Sequence, residues 1–280
     1  MDIRAKGVPS GWAGPIKSWV ESLAIAGRSK ATIYTRQDHV QRMARGLSVE
    51  PNKVSRSQLI EWLAAQNWSR ETRRSAQQSI RQFWAWAASN GVVSASPAVG
   101  LPHVKAANPM PRPAPPIVVE TGLMNADART RLILLCAVDV GMRRSEIAQI
   151  HLDDIEPDLT GWSIIAHGKG NKDRRIPLPD DLAAELVRAC RNGGGFAFPG
   201  NVDGHLSARY VGKLATRALP GIWTLHTLRH RCGTDVYQAS GDIMAVRDLL
   251  GHSSVATTQR YIATDQDRLR AALSARRAAS

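Results

Sequence analysis

Apolar side chains recur every three or four residues through the first ninety positions, the period of helices that bury one face. Ile16, Trp19, Val20, Leu23 and Ala26 mark a first helix from Trp12, closed by Gly27. Ser29 is placed to cap a second, running to about Arg45 with Ile33, Val40, Ala44 and Leu47 turned inward. Ser55-Arg56-Ser57-Gln58 has the spacing of a capping box, in which serine and glutamine each satisfy a free backbone N–H. It opens a third helix through Leu59, Ile60, Trp62 and Leu63. Ser69 opens a fourth that ends near Gly91, with Ala76, Ile80, Phe83 and Ala87 on one face and Arg70, Arg74, Gln77 and Arg81 on another. Residues 1–97 are expected to form a four-helix domain with Trp84 and Trp86 packed in its core.

Residues 98–116 break this pattern. Pro102, Pro109, Pro111, Pro113, Pro115 and Pro116 follow Pro97 with few large apolar groups between them, the composition of an extended, semi-rigid tether. Lys105 and Arg112 add positive charge to it. A second domain is predicted over 117–280. Ala126 to Val140 reads as a helix burying Leu132, Leu135, Cys136 and Val140, broken by Gly141, and another runs from about Arg144 to Ile150. Asp154-Ile155-Glu156 is a short strand. Trp162 to Ala166 and Arg174 to Leu178 pair as a hairpin across His167-Gly168-Lys169-Gly170-Asn171-Lys172-Asp173, a loop of turn-forming residues. Helices over Asp181 to Arg191 and Ser207 to Ala218 follow, and further helices carry two motifs taken up below. The expected fold class is mainly α, with a small β-hairpin or sheet confined to the second, α+β domain.

Composition narrows the partner rather than the fold. A hydrophobic fraction of 43% over 280 residues can build two cores. The formal net charge of +13, shared by both halves of the chain, favours a polyanion. Three widely spaced cysteines, Cys136, Cys190 and Cys232, contain no C-x-x-C pair. They argue for a reducing compartment and against a disulfide frame or zinc ribbon. No apolar run approaches the ~18 residues of a membrane span, and the start lacks a signal-peptide core. A cytoplasmic protein with no membrane partner is expected.

Three further stretches carry chemistry: Gly141-Met142-Arg143-Arg144-Ser145-Glu146, His226-Thr227-Leu228-Arg229-His230, and Leu249-Leu250-Gly251-His252-Ser253 leading through Arg260 to Tyr261. Guanidinium groups bind two phosphate oxygens at once and never lose their proton. His226 and Arg229, three apart, share one face of a helix start, and a histidine exchanges protons near neutral pH. His226 and His230 have the spacing of a metal pair, but no cysteine or acid joins them, so no metal or cofactor is expected. The glycines around Lys169 lack the Walker pattern and the helix that follows it. Tyrosine has a pKa of ~10, so only about one phenol in a thousand is ionised at neutral pH. To attack a phosphodiester it needs a proton acceptor and nearby cations.

In this order the four motifs resemble the tyrosine recombinases, the phage integrase and Xer family, in a short two-domain form without an arm-binding domain. The resemblance covers nearly the whole chain. It implies that Tyr261 is the nucleophile, that Arg143 and Arg229 bind the scissile phosphate, that His226 serves as general base or acid, and that Lys169 is the general acid. Lys172 is the rival for the last task. His252 is expected to donate a hydrogen bond to the phosphate, and Glu146 to orient Arg143. Arg144 stands where many relatives carry an aliphatic residue and is the alternative to Arg143; Leu225 stands where relatives often have proline.

The implied reaction is cleavage and rejoining of DNA through a 3′-phosphotyrosyl link, without ATP or metal, to integrate or excise a phage or mobile element. The implied partners are double-stranded DNA at an inverted-repeat core site, a homotetramer on two duplexes, and a directionality factor, in a bacterial host at the nucleoid. Arg70, Arg74, Gln77, Arg81, Lys105 and Lys172 are the expected DNA contacts. A tail helix through Leu269, Ala272 and Leu273 to Arg276-Arg277 would dock on its own protomer or on a neighbour. Three other readings stand beside this one. They are a Xer-type dimer resolvase, a type IB topoisomerase, which the four-helix domain argues against, and a non-catalytic DNA-binding regulator.

Overall fold

A computed structural model describes residues 7–106, 112–168 and 172–252, together with 274, 276 and 277; at 172 only the backbone is described. Lys169, Tyr261, the Lys172 side chain and most of the expected tail helix lie outside the described residues. The chain divides into two compact units, Met1–Pro109 and Met110–Ser280.

In the first unit, α1 (Ser10–Ile25), α2 (Lys30–Leu47), α3 (Arg56–Ala64) and α4 (Arg70–Ser89) form where the apolar period places them. Ser29, Ser55 and Ser69 each accept from the backbone N–H three residues on, and Ser55 with Gln58 completes the capping box. The core is aromatic. Trp12 lies 5.8 Å from Phe83 and 5.5 Å from Trp84, and Trp19 lies 5.4 Å from Phe83, the separations of stacked and edge-on ring pairs. Phe83 is sealed from solvent, a burial that contributes about 1.5–3 kcal/mol. His39 and Ser79 hydrogen-bond at 3.0 Å and tie α2 to α4.

The polar face expected on α4 needs correction. Gln77 is buried, at 9% exposure. It lies three and seven residues before Ile80 and Trp84, which places it on the inward stripe, wider than the four apolar positions alone suggested. Arg81 turns its guanidinium onto the carbonyls of Leu101 and Pro102. Arg70 donates to the carbonyl of Lys105 at 3.0 Å, and Arg56 to that of Gly100 at 3.1 Å. Arg74 pairs with Glu71 and remains exposed. The start of the stretch expected to be an extended, semi-rigid tether is thus strapped to the helical unit, with Ala98 and Leu101 in its core.

The second unit begins with a helix that the proline pattern concealed: α5 (Pro116–Asn125), with Pro116 in its first turn, where the missing N–H costs nothing. The segment before it is held to this unit as well. Arg112 lies over the Trp223 ring at 4.8 Å, and the Ala114 N–H donates to the carbonyl of Thr227. Next come α6 (Ala128–Val138) and the short α7 (Arg144–Ala148). A 3-10 turn over Leu152–Asp154 then leads into β1 (Ile155–Pro157), one residue later than expected. β2 (Trp162–Gly168) and β3 (Lys172–Leu178) complete an antiparallel sheet of order β1-β2-β3, with Trp162 opposite Leu178 and His167 opposite Asp173.

After the sheet come α8 (Asp180–Asn192), α9 (Ala208–Ala218), α10 (Leu225–Ser240) and α11 (Ile243–Leu250). Helix α6 packs on α10 and α7 on α9, around a core that includes Ile133, Leu134, Ile164, Ile176, Leu186, Phe198 and Leu228. Among the described residues, no helix is long and apolar enough to cross a membrane.

Candidate active site

Gly141 ends the turn after α6 with φ +67°, a conformation that suits glycine. A Cβ there would come within 2.6 Å of Leu250 Cδ2 and 3.2 Å of Cys232 Sγ, so its absence lets three segments close together. The Gly141 carbonyl accepts from Arg229 Nη1, and the Leu250 carbonyl accepts from Arg229 Nη2. Arg229 is 3% exposed, a buried guanidinium held on the backbone of the two other motifs.

Arg143 precedes α7. Its backbone N–H and its Nη1 both donate to Glu146 at 2.7 Å, and its Nη2 donates to the carbonyl of Gly251 at 2.8 Å. Glu146 thus accepts two hydrogen bonds from Arg143. The carboxylate also takes a fork of two hydrogen bonds from Arg174 on β3, at 2.6 and 2.9 Å. Burial pushes the Glu146 pKa up, but its bonds to Arg174 and Arg143 outweigh that and hold it at about 2.

These groups line an open cleft of about 1190 Å³ whose walls include Arg143, Arg144, Arg209, Lys213, Arg229, His226 and His252. Among the described residues, no carboxylate lines it. Its cationic lining suits an anion, and a phosphate placed there would meet donors already fixed by the protein. Burial, reinforced by Arg229, Arg143 and Arg144, lowers the pKa of His226. Burial and then Arg229, Arg143, His230 and Arg174 lower that of His252 to about 4. Both imidazoles are neutral at pH 7, so each can accept a proton or donate one N–H. His226 and His230 approach at 3.0 Å through their Nε2 atoms. Among the described residues, no group of three or more His, Cys, Asp or Glu is placed to hold a metal ion.

Of the residues expected at the site, Arg143, His226, Arg229 and His252 come together on this cleft, with Glu146 behind Arg143. The alternative to Arg143, Arg144, lines it too. Arg70, Arg74, Gln77, Arg81 and Lys105 belong to the first unit. Three residues escaped the reading of the sequence. Arg209 and Lys213 lie four apart on α9, opposite its buried Val211, Leu214 and Ala215, and that spacing was the available signal. Arg174 left no local signal, because its partners lie on other elements.

The Phage integrase family profile matches residues 118–268 of this chain. The tyrosine recombinase XerC of Chromobacterium violaceum is 28% identical over 272 residues, spanning 89% of this chain and 90% of that protein. The tyrosine recombinase XerC of Xanthomonas axonopodis pv. citri is 31% identical over 239 residues, 77% of this chain and 76% of that protein. Solved structures of the same fold include two complexes. One is the XerH site-specific recombinase bound to palindromic difH substrate, with TM-score 0.69, 20% identity, and coverage of 86% of this chain and 79% of that one. The other is a lambda integrase dimer bound to a COC′ core site, with TM-score 0.69, 15% identity, and coverage of 89% and 76%. The matched segment spans more than half the chain and contains every motif from Arg143 to Tyr261; this chain belongs to the phage integrase family of tyrosine recombinases.

Proposed function

We propose that the protein is a site-specific DNA recombinase that cuts and rejoins strands through Tyr261. The observation that carries this reading is the cleft, where Arg143 and Arg229 stand beside two neutral histidines and, among the described residues, no carboxylate lines the wall. In the first step the Tyr261 oxygen attacks a backbone phosphorus, and its proton passes to His226. Arg143, Arg229 and the N–H of His252 stabilise the charge that grows on the non-bridging oxygens. The bond to the 5′ oxygen breaks as Lys169 supplies its proton, leaving a 3′-phosphotyrosyl ester and a free 5′ hydroxyl. In the second step the 5′ hydroxyl of a partner duplex attacks that ester and releases the tyrosine. The ester conserves the bond, so the cycle needs no ATP.

Exchange between two duplexes requires four active sites, hence a homotetramer on an inverted-repeat core site. The exchange integrates and excises a phage or mobile element under a directionality factor. Resolution of chromosome or plasmid dimers is the second reading, favoured by the name XerC borne by the relatives reported above.

The test is to trap covalent protein–DNA adducts in cells and sequence the attached DNA, with Tyr261→Phe as control. Adducts that vanish in the variant and cluster at one short inverted repeat support a site-specific recombinase, and the flanking DNA distinguishes an element boundary from a dimer-resolution site. Adducts scattered without sequence preference would indicate a topoisomerase-like enzyme. Binding without adducts would leave a DNA-binding regulator.

A further inference from the structure

We propose that Arg174 is a positioning residue of this reaction, and that it absorbs the charge of Glu146 so that Arg143 stays available as a cation to the phosphate. The proposal rests on the reading of Arg143 as a phosphate-binding residue.

The Glu146 side chain is 1% exposed. A carboxylate offers about four lone-pair sites, and here all four are occupied: two by the backbone N–H and Nη1 of Arg143, two by the fork of Arg174. One negative charge is thus shared by two guanidinium groups, and the trio carries a net charge of +1. Arg174 is absent from the cleft wall, with a side chain only 12% exposed, whereas Arg143 lines the wall and is 38% exposed. The surplus charge therefore faces the substrate through Arg143. Without Arg174, the Arg143–Glu146 pair would be neutral, and the buried carboxylate would draw Arg143 back from the cleft with two of its lone pairs unmet.

Arg174 also reaches the other side of the site. Its Nε donates to the carbonyl of Leu249 at 3.0 Å, two residues before Gly251, whose own carbonyl holds Arg143. A Cβ on Gly251 would come within 2.8 Å of Arg174 Cδ, so the turn before His252 is closed directly upon this arginine. One β3 side chain thereby fixes Arg143 through Glu146 and the His252 turn through backbone, without touching the reacting atoms.

Substitution tests charge against scaffolding. The variants are Arg174→Met, Arg174→Lys, Glu146→Gln and the double variant R174M/E146Q. Each is assayed by single-turnover covalent attachment to a nicked duplex carrying the sequence recovered from wild-type adducts, beside non-covalent binding to that duplex and thermal unfolding. Arg174→Met should slow attachment by about 100-fold, the scale of losing one preorganised electrostatic contact, with a smaller loss of binding. The double variant removes the carboxylate that neutralises Arg143 and should recover at least about tenfold of that loss. Arg174→Lys keeps the charge and should fall between wild type and Arg174→Met. A double variant no faster than Arg174→Met at equal folded fraction would overturn the proposal, as would wild-type rates in Arg174→Met. If Arg174→Met does not fold, Arg174→Lys and the double variant decide, because a double variant far slower than Glu146→Gln alone would assign Arg174 a part that charge balance does not explain. A wild-type protein that forms no adduct sinks the catalytic reading instead.

Discussion

Arg143 donates through Nη2 to the backbone carbonyl of Gly251 at 2.8 Å, joining residues 108 positions apart. Gly251 terminates α11 in the left-handed conformation, φ +58°, and His252 is the next residue. The arginine expected to hold the phosphate is therefore anchored on the turn that presents the histidine expected to share it. Arg229 does the same for Gly141 and Leu250. In each case a cation spends part of its hydrogen-bonding capacity on backbone, which costs some freedom to bind but fixes its direction, and direction is what electrostatic catalysis needs.

Replacing Gly141 by alanine tests how tightly the motifs are closed. The new Cβ would meet Leu250 Cδ2 at 2.6 Å in a backbone region that disfavours a side chain. A loss of about 1–3 kcal/mol is expected, together with slower covalent attachment. Urea unfolding measures the first; an unchanged midpoint would mean that the turn after α6 does not meet Leu250 and Cys232 as closely as described.

Arg229→Lys keeps a positive charge but cannot fork onto two carbonyls. Leaving one of the buried Gly141 or Leu250 carbonyls unmet should cost about 1–3 kcal/mol. Attachment should fall by roughly 100-fold or more, because the remaining ammonium is no longer aimed. Attachment kinetics at a temperature where the variant is fully folded separate the two effects.

Two histidines should give opposite pH dependences of stability. The folded pKa of His252 lies at about 4, below the usual ~6.5, so only the unfolded chain takes up that proton in between. Stability should therefore decline as pH falls from about 6.5 to 4, and His252→Gln should flatten the slope by about one proton. His167 is raised, first by its bond to Asp154, with burial opposing and Asp173 adding to the rise. Its contribution is full below ~6.5 and fades as pH rises through the folded pKa. Chemical unfolding of His252→Gln and His167→Gln between pH 4.5 and 9 would show both signs; parallel curves for wild type and variants would contradict them.

Arg81→Ala should loosen the segment that carries Leu101 and Pro102. Two hydrogen bonds to backbone would be lost, about 1 kcal/mol each at most in a partly exposed setting. Limited proteolysis around Pro102 to Lys105 should quicken well beyond any change in global stability. Equal cutting rates would show that Ala98 and Leu101 hold the segment unaided.

Local rules read much of this chain correctly. The serine caps at 29, 55 and 69, the capping box and the hairpin register all depend on residues within a few positions of one another. Helix α5 was missed because Pro115-Pro116 resembles tether composition, although proline in a first turn starts helices as well as it ends them. Gln77 is polar by type yet buried by period, and the helical period outweighs side-chain polarity there.

The amino-acid sequence by itself determined the helical spans, their caps, and the spacing that puts His226 and Arg229 on one helix start, since each follows from torsional preference and a 3.6-residue period. Tertiary structure alone decided which arginines line the cleft and where each guanidinium finds its partners in the protein. Arg81 went to the strap, Arg229 to two buried carbonyls, and Arg174 to a carboxylate 28 residues away. A guanidinium exposed on a helix and one sealed beneath a cleft look identical in sequence. Their energies differ through desolvation and the partners that offset it, and those partners are brought within hydrogen-bonding distance only when α7, β3, α10 and α11 pack together.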